Sequence, residues 1–159
     1  MGLDGTAFEK ILSGLPLTTY RVGDTVLSDG SKSDQLLILK SGEVAVLKNS
    51  AVLARVDQAG AVFGELAALL DQPHGADVRA LQDSQFHVAD AELLEKDLIA
   101  VIHVARILAR RLVAANGGLV ALKNEIETGP SPSAAREVLA QMEKILMAGG
   151  GASHESFGL

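Results

Sequence analysis

The sequence contains no cysteine and no tryptophan, and only four Phe and one Tyr among its 159 residues. Without cysteine there is no disulfide, no thiolate nucleophile and no cysteine-ligated zinc. The same absence fits a reducing compartment, and a cytoplasmic location is expected. With so few rings, the core has to be built from Val, Leu, Ile and Ala. Basic residues are also scarce. Fourteen Lys and Arg against 20 Asp and Glu leave a net charge of −6, which speaks against a nucleic-acid partner. No apolar run approaches the ~20 residues of a membrane span. The N-terminus, MGLDGTAFEKILSG, lacks the basic-then-apolar order of a signal peptide. His87, His103 and His154 form no close pair of the kind that ligates a metal, and there is no Gly-x-Ser-x-Gly elbow. Neither a metal, a cofactor nor a catalytic activity is expected.

What is present is one domain's worth of chain that is 48% apolar and rich in glycine. Residues 4–13 read as a short amphipathic helix, with Asp4 as its cap and Phe8, Ile11 and Leu12 on one face. Leu15-Pro16 ends it, because the residue before proline avoids the helical region. From about 17 to 89, short strands alternate with turns at Val22-Gly23-Asp24, Asp29-Gly30-Ser31, Lys40-Ser41-Gly42, Lys48-Asn49-Ser50 and Gln58-Ala59-Gly60. Turns at that spacing predict an antiparallel sandwich or barrel. Residues 43–48 and 84–88 show the two-residue alternation of half-buried strands. One segment inside this region, Gly64 to Leu70, has helix formers instead.

From Asp90 the period changes. Residues 90–96 suit a helical turn and 97–127 a long helix, with Asp90 or Asp97 as cap. Val101, Ala105, Leu108, Leu112, Ala115, Leu119, Leu122 and Ile126 recur in alternating steps of three and four, a coiled-coil seam. A homodimer through helix 97–127 is therefore expected, with a helix lying on the surface of the strands as the simpler reading. Gly117-Gly118 interrupts the pattern, and a bend or frayed turn is expected there. Residues 128–133 read as a linker. Residues 134–147 form a second amphipathic segment carrying Val138, Leu139, Met142, Ile145 and Leu146. Residues 148–159 are glycine-rich and expected to be disordered.

A helix inserted between strands and opening Phe63-Gly64-Glu65-Leu66-Ala67 calls for a reason. Its first turn offers unpaired N–H groups to an anion, Gly64 allows close approach, and the Glu65 carboxylate can accept from a sugar hydroxyl. Together these suit a nucleotide monophosphate. Residues 63–80, FGELAALLDQPHGADVRA, resemble the phosphate-binding cassette of the cyclic-nucleotide-binding domain family, which includes the catabolite activator protein and the regulatory subunits of cAMP-dependent protein kinase. Tyr20, Gly23-Asp24, Val26, Gly30 and Leu37 to Val46 fit the family's upstream framework. The resemblance covers about residues 4–127. It implies a mainly β fold: an antiparallel, jelly-roll-like β-roll of about eight strands with a short N-terminal helix, a cassette helix and a long C-terminal helix. It also implies a ligand site at Phe63, Gly64, Glu65, Leu66, Ala67, Pro73, His74, Gly75 and Ala76. Glu65 would hold the ribose 2′-hydroxyl, and amides near Gly64 and Ala76 would face the cyclic phosphate. On the long helix, Arg111 would pair with Glu65, and Ala115 and Asn116 would lie near the purine.

One position departs from the pattern. The family places arginine after the cassette proline, where a guanidinium matches phosphate in charge and geometry. This sequence has Pro73-His74-Gly75. Losing a charged phosphate partner commonly costs ~2–3 kcal/mol. Three readings stay open: binding with His74 protonated, so that affinity rises as pH falls; a different ligand; or a vestigial pocket in a dimeric scaffold. Gly75 offers no hydroxyl, which by family analogy favours cAMP over cGMP. Arg79 follows the cassette and is expected to face solvent. The residues after 128 carry only Arg136 and Lys144 as basic groups, too few for a DNA-binding module, so the expected output is a protein partner at helix 134–147. The chain reads as a stand-alone regulatory domain sensing cAMP or cGMP. The alternative is a non-binding domain of the same fold acting as scaffold.

Overall fold

The computed structural model describes residues 5–128 and, beyond them, residues 133, 136–138, 140, 141 and 144, all seven helical. Of the expected features, Asp4, most of the 128–133 linker, the rest of helix 134–147 and the 148–159 tail lie outside the described residues. In chain order the elements are α1 (Gly5–Ser13), β1 (Leu17–Tyr20), β2 (Thr25–Leu27), β3 (Gln35–Ser41), β4 (Val44–Lys48), β5 (Ala51–Val56), β6 (Val62–Phe63), α2 (Glu65–Leu70), β7 (Asp77–Ala80), β8 (Ser84–Asp90), α3 (Glu92–Lys96) and α4 (Leu98–Glu127).

The strands form two four-stranded antiparallel sheets, ordered β1-β8-β3-β6 and β2-β7-β4-β5. This is the β-roll with helical flanks that the cassette resemblance implies. Between the sheets lies a core of aliphatic side chains around Phe86, which is 0% exposed. Tyr20 and Phe63 meet the Phe86 ring edge-on, at 5.7 and 6.0 Å between centroids. Strand β3 explains the continuous run Leu36 to Leu39. Leu37 and Leu39 enter the inter-sheet core, while Leu36 and Ile38 face the opposite way into a second core shared with Leu12, Leu93, Leu94 and Ile107 of the helices. A strand covered on both faces loses alternation. The β4–β5 hairpin turns through Asn49 and Ser50, both with positive φ, the geometry whose twist matches two-residue hairpins.

Asp97 caps α4, its Oδ1 accepting from the N–H groups of Ile99 (2.8 Å) and Ala100 (3.1 Å). No frayed turn appears at Gly117-Gly118: α4 is helical throughout from Leu98 to Glu127. Two glycines cost helix propensity, but the long stretch of good helix formers on either side carries the helix through. Of the expected seam, Val101 is 36% exposed, Ala105 is exposed, Leu108, Ala115 and Leu122 are half-buried, and the Ile126 side chain lies outside the described residues. Leu112 and Leu119 are 61% and 58% exposed, whereas Val101, Ala105 and Leu108 line a cavity of about 220 Å³ with Leu69 of α2 and Leu94 of α3. The face that α4 buries against the roll carries Ala100, Val104 and Ile107.

Helix α1 rests on α4 through Phe8, whose ring stacks on His103 at 3.6 Å and 13°. Burial holds the His103 imidazole below histidine's usual range, and the Arg110 and Arg106 guanidiniums push the same way. His87, on β8, is lowered by burial and then by Lys40. His103 Nε2 and His87 Nδ1 are buried without a partner among the described residues. No helix among the described residues is long and apolar enough to cross a membrane.

Candidate functional site

The site begins where β6 ends. Phe63 is buried in the inter-sheet core, and the chain then turns sharply at Gly64, with φ 86° and ψ −1°. Only glycine adopts that conformation freely. The space is closed as well: a Cβ on Gly64 would lie 2.7 Å from the Gln35 carbonyl oxygen of β3. The turn launches α2, six residues long, which ends at Asp71 in the left-handed region.

Glu65 is the first residue of α2 and is 4% exposed. A carboxylate so buried needs a partner, and α4 supplies one. Arg111 Nη1 donates to Glu65 Oε1, and Arg111 Nη2 donates to the Val62 carbonyl at 3.0 Å. Arg111 reaches the site because it continues the buried stripe Ala100-Val104-Ile107 by one more step of four. Its Nε is buried without a partner among the described residues. One arginine thus ties the long helix to both the strand before the turn and the helix after it.

The remaining cassette positions divide. Ala67 is buried, and Leu66 is exposed, as are Leu69 and Leu70. Pro73 and Gly75 are exposed, and Ala76 packs at the edge of the inter-sheet core. His74 is the exception, only 6% exposed. Its N–H donates to the Ser31 carbonyl at 2.8 Å, and its carbonyl accepts from Gly30 N–H at 2.9 Å. Its Nε2 is 2.9 Å from Ser33 Oγ. Arg79 is exposed on β7.

Asn116 is not gathered into this group. Five residues beyond Arg111 it is rotated by roughly 140° from it on an ideal helix, and it is exposed. Ala115, one turn from Arg111, shares its face and is half-buried. Two participants carry no local sequence signal: the Val62 carbonyl, which is backbone, and Ser33, which lies 41 residues from His74.

Comparison with known proteins matches residues 17–98, just over half of the chain, to the cyclic nucleotide-binding domain family. A cGMP-dependent protein kinase of Eimeria tenella is 36% identical over 95 residues, covering 59% of this chain and 9% of the kinase. The chain therefore spans about a tenth of that relative's length. Among solved structures, PKAR CBD2 with Sp-2Cl-cAMPS bound superposes with a TM-score of 0.59 at 25% identity, covering 84% of each chain. The catabolite activator protein of Thermus thermophilus has the same fold, with a TM-score of 0.60 at 21% identity over 89% of this chain and 82% of that one.

Proposed function

The chain belongs to the cyclic nucleotide-binding domain family, and from that premise we propose that it binds cAMP or a related cyclic nucleotide at α2 and transmits occupancy through α4. The observation that carries the reading is the buried Arg111–Glu65 pair. A carboxylate accepts at about four lone-pair positions. Glu65 can hold a ribose hydroxyl while it keeps Arg111, so the group that reads the sugar also holds the signalling helix. A ligand that changes how Glu65 shares its oxygens biases the position of α4, a two-state element in the sense of ligand-shifted populations.

Residues 74–76 and the first turn of α2 take the phosphate in this reading. His74 replaces a guanidinium with an imidazole, which offers fewer donors and no bidentate fork, so affinity is expected to be modest. The kinase relative is cGMP-dependent and the PKAR domain holds a cAMP analogue. Gly75 carries no hydroxyl, which favours cAMP. The chain acts as a regulator rather than an enzyme, in the cytoplasm. It dimerises through the exposed later part of α4, and segment 134–147 is the surface offered to a partner.

A second reading has one observation in its favour. Glu65 and His74 already have partners within the chain, Arg111 and Ser33, as they would in a scaffold that binds nothing. Calorimetric and thermal-shift titrations with cAMP and cGMP separate the two. Ligand at 100 times its dissociation constant adds ~2.7 kcal/mol of stability. No heat and no shift at millimolar nucleotide would leave the scaffold.

A further inference from the structure

Ser33 belongs to the nucleotide site: we propose that it is a positioning residue, whose hydroxyl holds His74 Nε2 and so fixes which ring nitrogen meets the phosphate. This rests on the reading of α2 and residues 73–76 as the site of a cyclic phosphate. A phosphate oxygen only accepts hydrogen bonds, and a neutral imidazole carries one N–H and one bare nitrogen. When Ser33 Oγ, 2.9 Å away, donates to Nε2, the proton resides on Nδ1. The neutral ring then offers the phosphate a donor. With the opposite tautomer Nδ1 is a lone pair, which repels the anion.

The geometry around the ring places it at the site. Cε1, the carbon bonded to both nitrogens, is the His74 atom nearest the space above Gly64, 3.6 Å from where a Cβ would stand. The ring therefore lies beside the turn that opens α2, and with Nε2 on Ser33 the nitrogen left for a ligand is Nδ1. The backbone behind the ring is fixed on both sides. His74 exchanges main-chain hydrogen bonds with Gly30 and Ser31, and Asp29 N–H donates to the Asp77 carboxylate at 2.7 Å. The loop between β2 and β3 and the chain leading into β7 thus form one unit that presents the imidazole. The charged groups on these elements are engaged or exposed. Asp29 pairs with Lys48, Lys32 with Asp71, and Glu65 with Arg111, Asp77 accepts from Asp29, and Asp34 and Arg79 are exposed.

The test combines two measurements on the full chain. In the free protein, long-range nitrogen–proton NMR of His74 is expected to show a proton on Nδ1 and a bare Nε2, a pattern that Ser33→Thr keeps and Ser33→Ala loses. In cAMP titrations, Ser33→Ala is expected to weaken binding about tenfold, while Ser33→Thr keeps the parent's affinity. His74→Arg is expected to bind more tightly than the parent and to be indifferent to Ser33→Ala. An unchanged tautomer and an unchanged affinity in Ser33→Ala overturn the positioning role. If neither the parent nor His74→Arg binds cAMP or cGMP while the tautomer responds to Ser33→Ala as expected, the hydroxyl orients the ring but the nucleotide reading beneath the proposal falls.

Discussion

Arg111 and Glu65 stand 46 residues apart in the chain and meet as a buried ion pair that fastens α4 to α2. Arg111 also donates to the Val62 carbonyl, so the guanidinium spans the turn that forms the site. Removing one member of a buried pair leaves the other desolvated and unmatched, at a cost of ~3–5 kcal/mol. Glu65→Leu and Arg111→Leu are each expected to lower the unfolding free energy by about that much, read as a fall in the urea midpoint. The double variant is expected to lose less than either single one, because no unpaired charge remains. Equal losses adding in the double would mean that the two side chains act independently.

Two glycines in very different settings give opposite expectations. Gly42 has φ 100°, and a Cβ there would lie 2.6 Å from Ser84 Cα and 2.7 Å from the Asp83 carbonyl oxygen. Gly42→Ala is expected to cost ~2 kcal/mol or more, since both backbone strain and collision oppose it. Gly117 lies inside α4 with nothing within 4 Å of an added Cβ. Gly117→Ala is expected to stabilise by ~1 kcal/mol. Thermal or urea unfolding of the two variants checks both. A Gly117→Ala protein that gains stability yet responds normally to nucleotide would show that the signal does not need flexibility at this point.

The cassette was legible because its signal is local. Phe63-Gly64-Glu65-Leu66-Ala67 puts a glycine where the chain needs positive φ and helix formers immediately after it, and the structure has that turn and that helix. Turns at Gly23, Gly30, Gly42 and Gly60 were legible for the same reason, and each has positive φ. The rotation of α4 was harder to read. The leucines at 108, 112 and 119 give the strongest apolar stripe, but the roll contacts the neighbouring one, Ala100, Val104, Ile107 and Arg111, whose small and charged members give a weak signal. The Ser33–His74 bond joins the β2–β3 loop to the segment between α2 and β7, 41 residues apart, and no periodicity within either segment reports it.

The exposed leucines of α4 lead to a prediction about assembly. Leu112, Val113, Leu119 and Val120 are all more than half exposed beyond the part of the helix that the roll covers. Burial of apolar surface is worth ~25 cal/mol per Å², so a second copy of the chain gains by covering them. Sedimentation equilibrium is expected to show a dimer, and Leu112→Glu with Leu119→Glu is expected to give a monomer with unchanged β-sheet circular dichroism. A monomeric parent protein would remove α4 as a dimer seam.

Acid sensitivity follows from the helix that covers the second core. His103 and His87 are both held below histidine's ordinary value of about 6.5, first by burial and then by Arg110 and Arg106 for the one and Lys40 for the other. A base depressed in the fold takes up fewer protons than it does in the unfolded chain, so protonation favours unfolding. The stability these groups permit is therefore intact above about 6.5 and is lost as the pH falls through that value toward the lower values of the folded state. Melting temperature is expected to be level between about pH 7 and pH 8 and to decline below about pH 6.5. His103→Phe keeps a ring against Phe8 but cannot titrate, and it is expected to flatten part of that decline. An equally steep acid profile in this variant would assign the sensitivity to the carboxylates and to His87 instead.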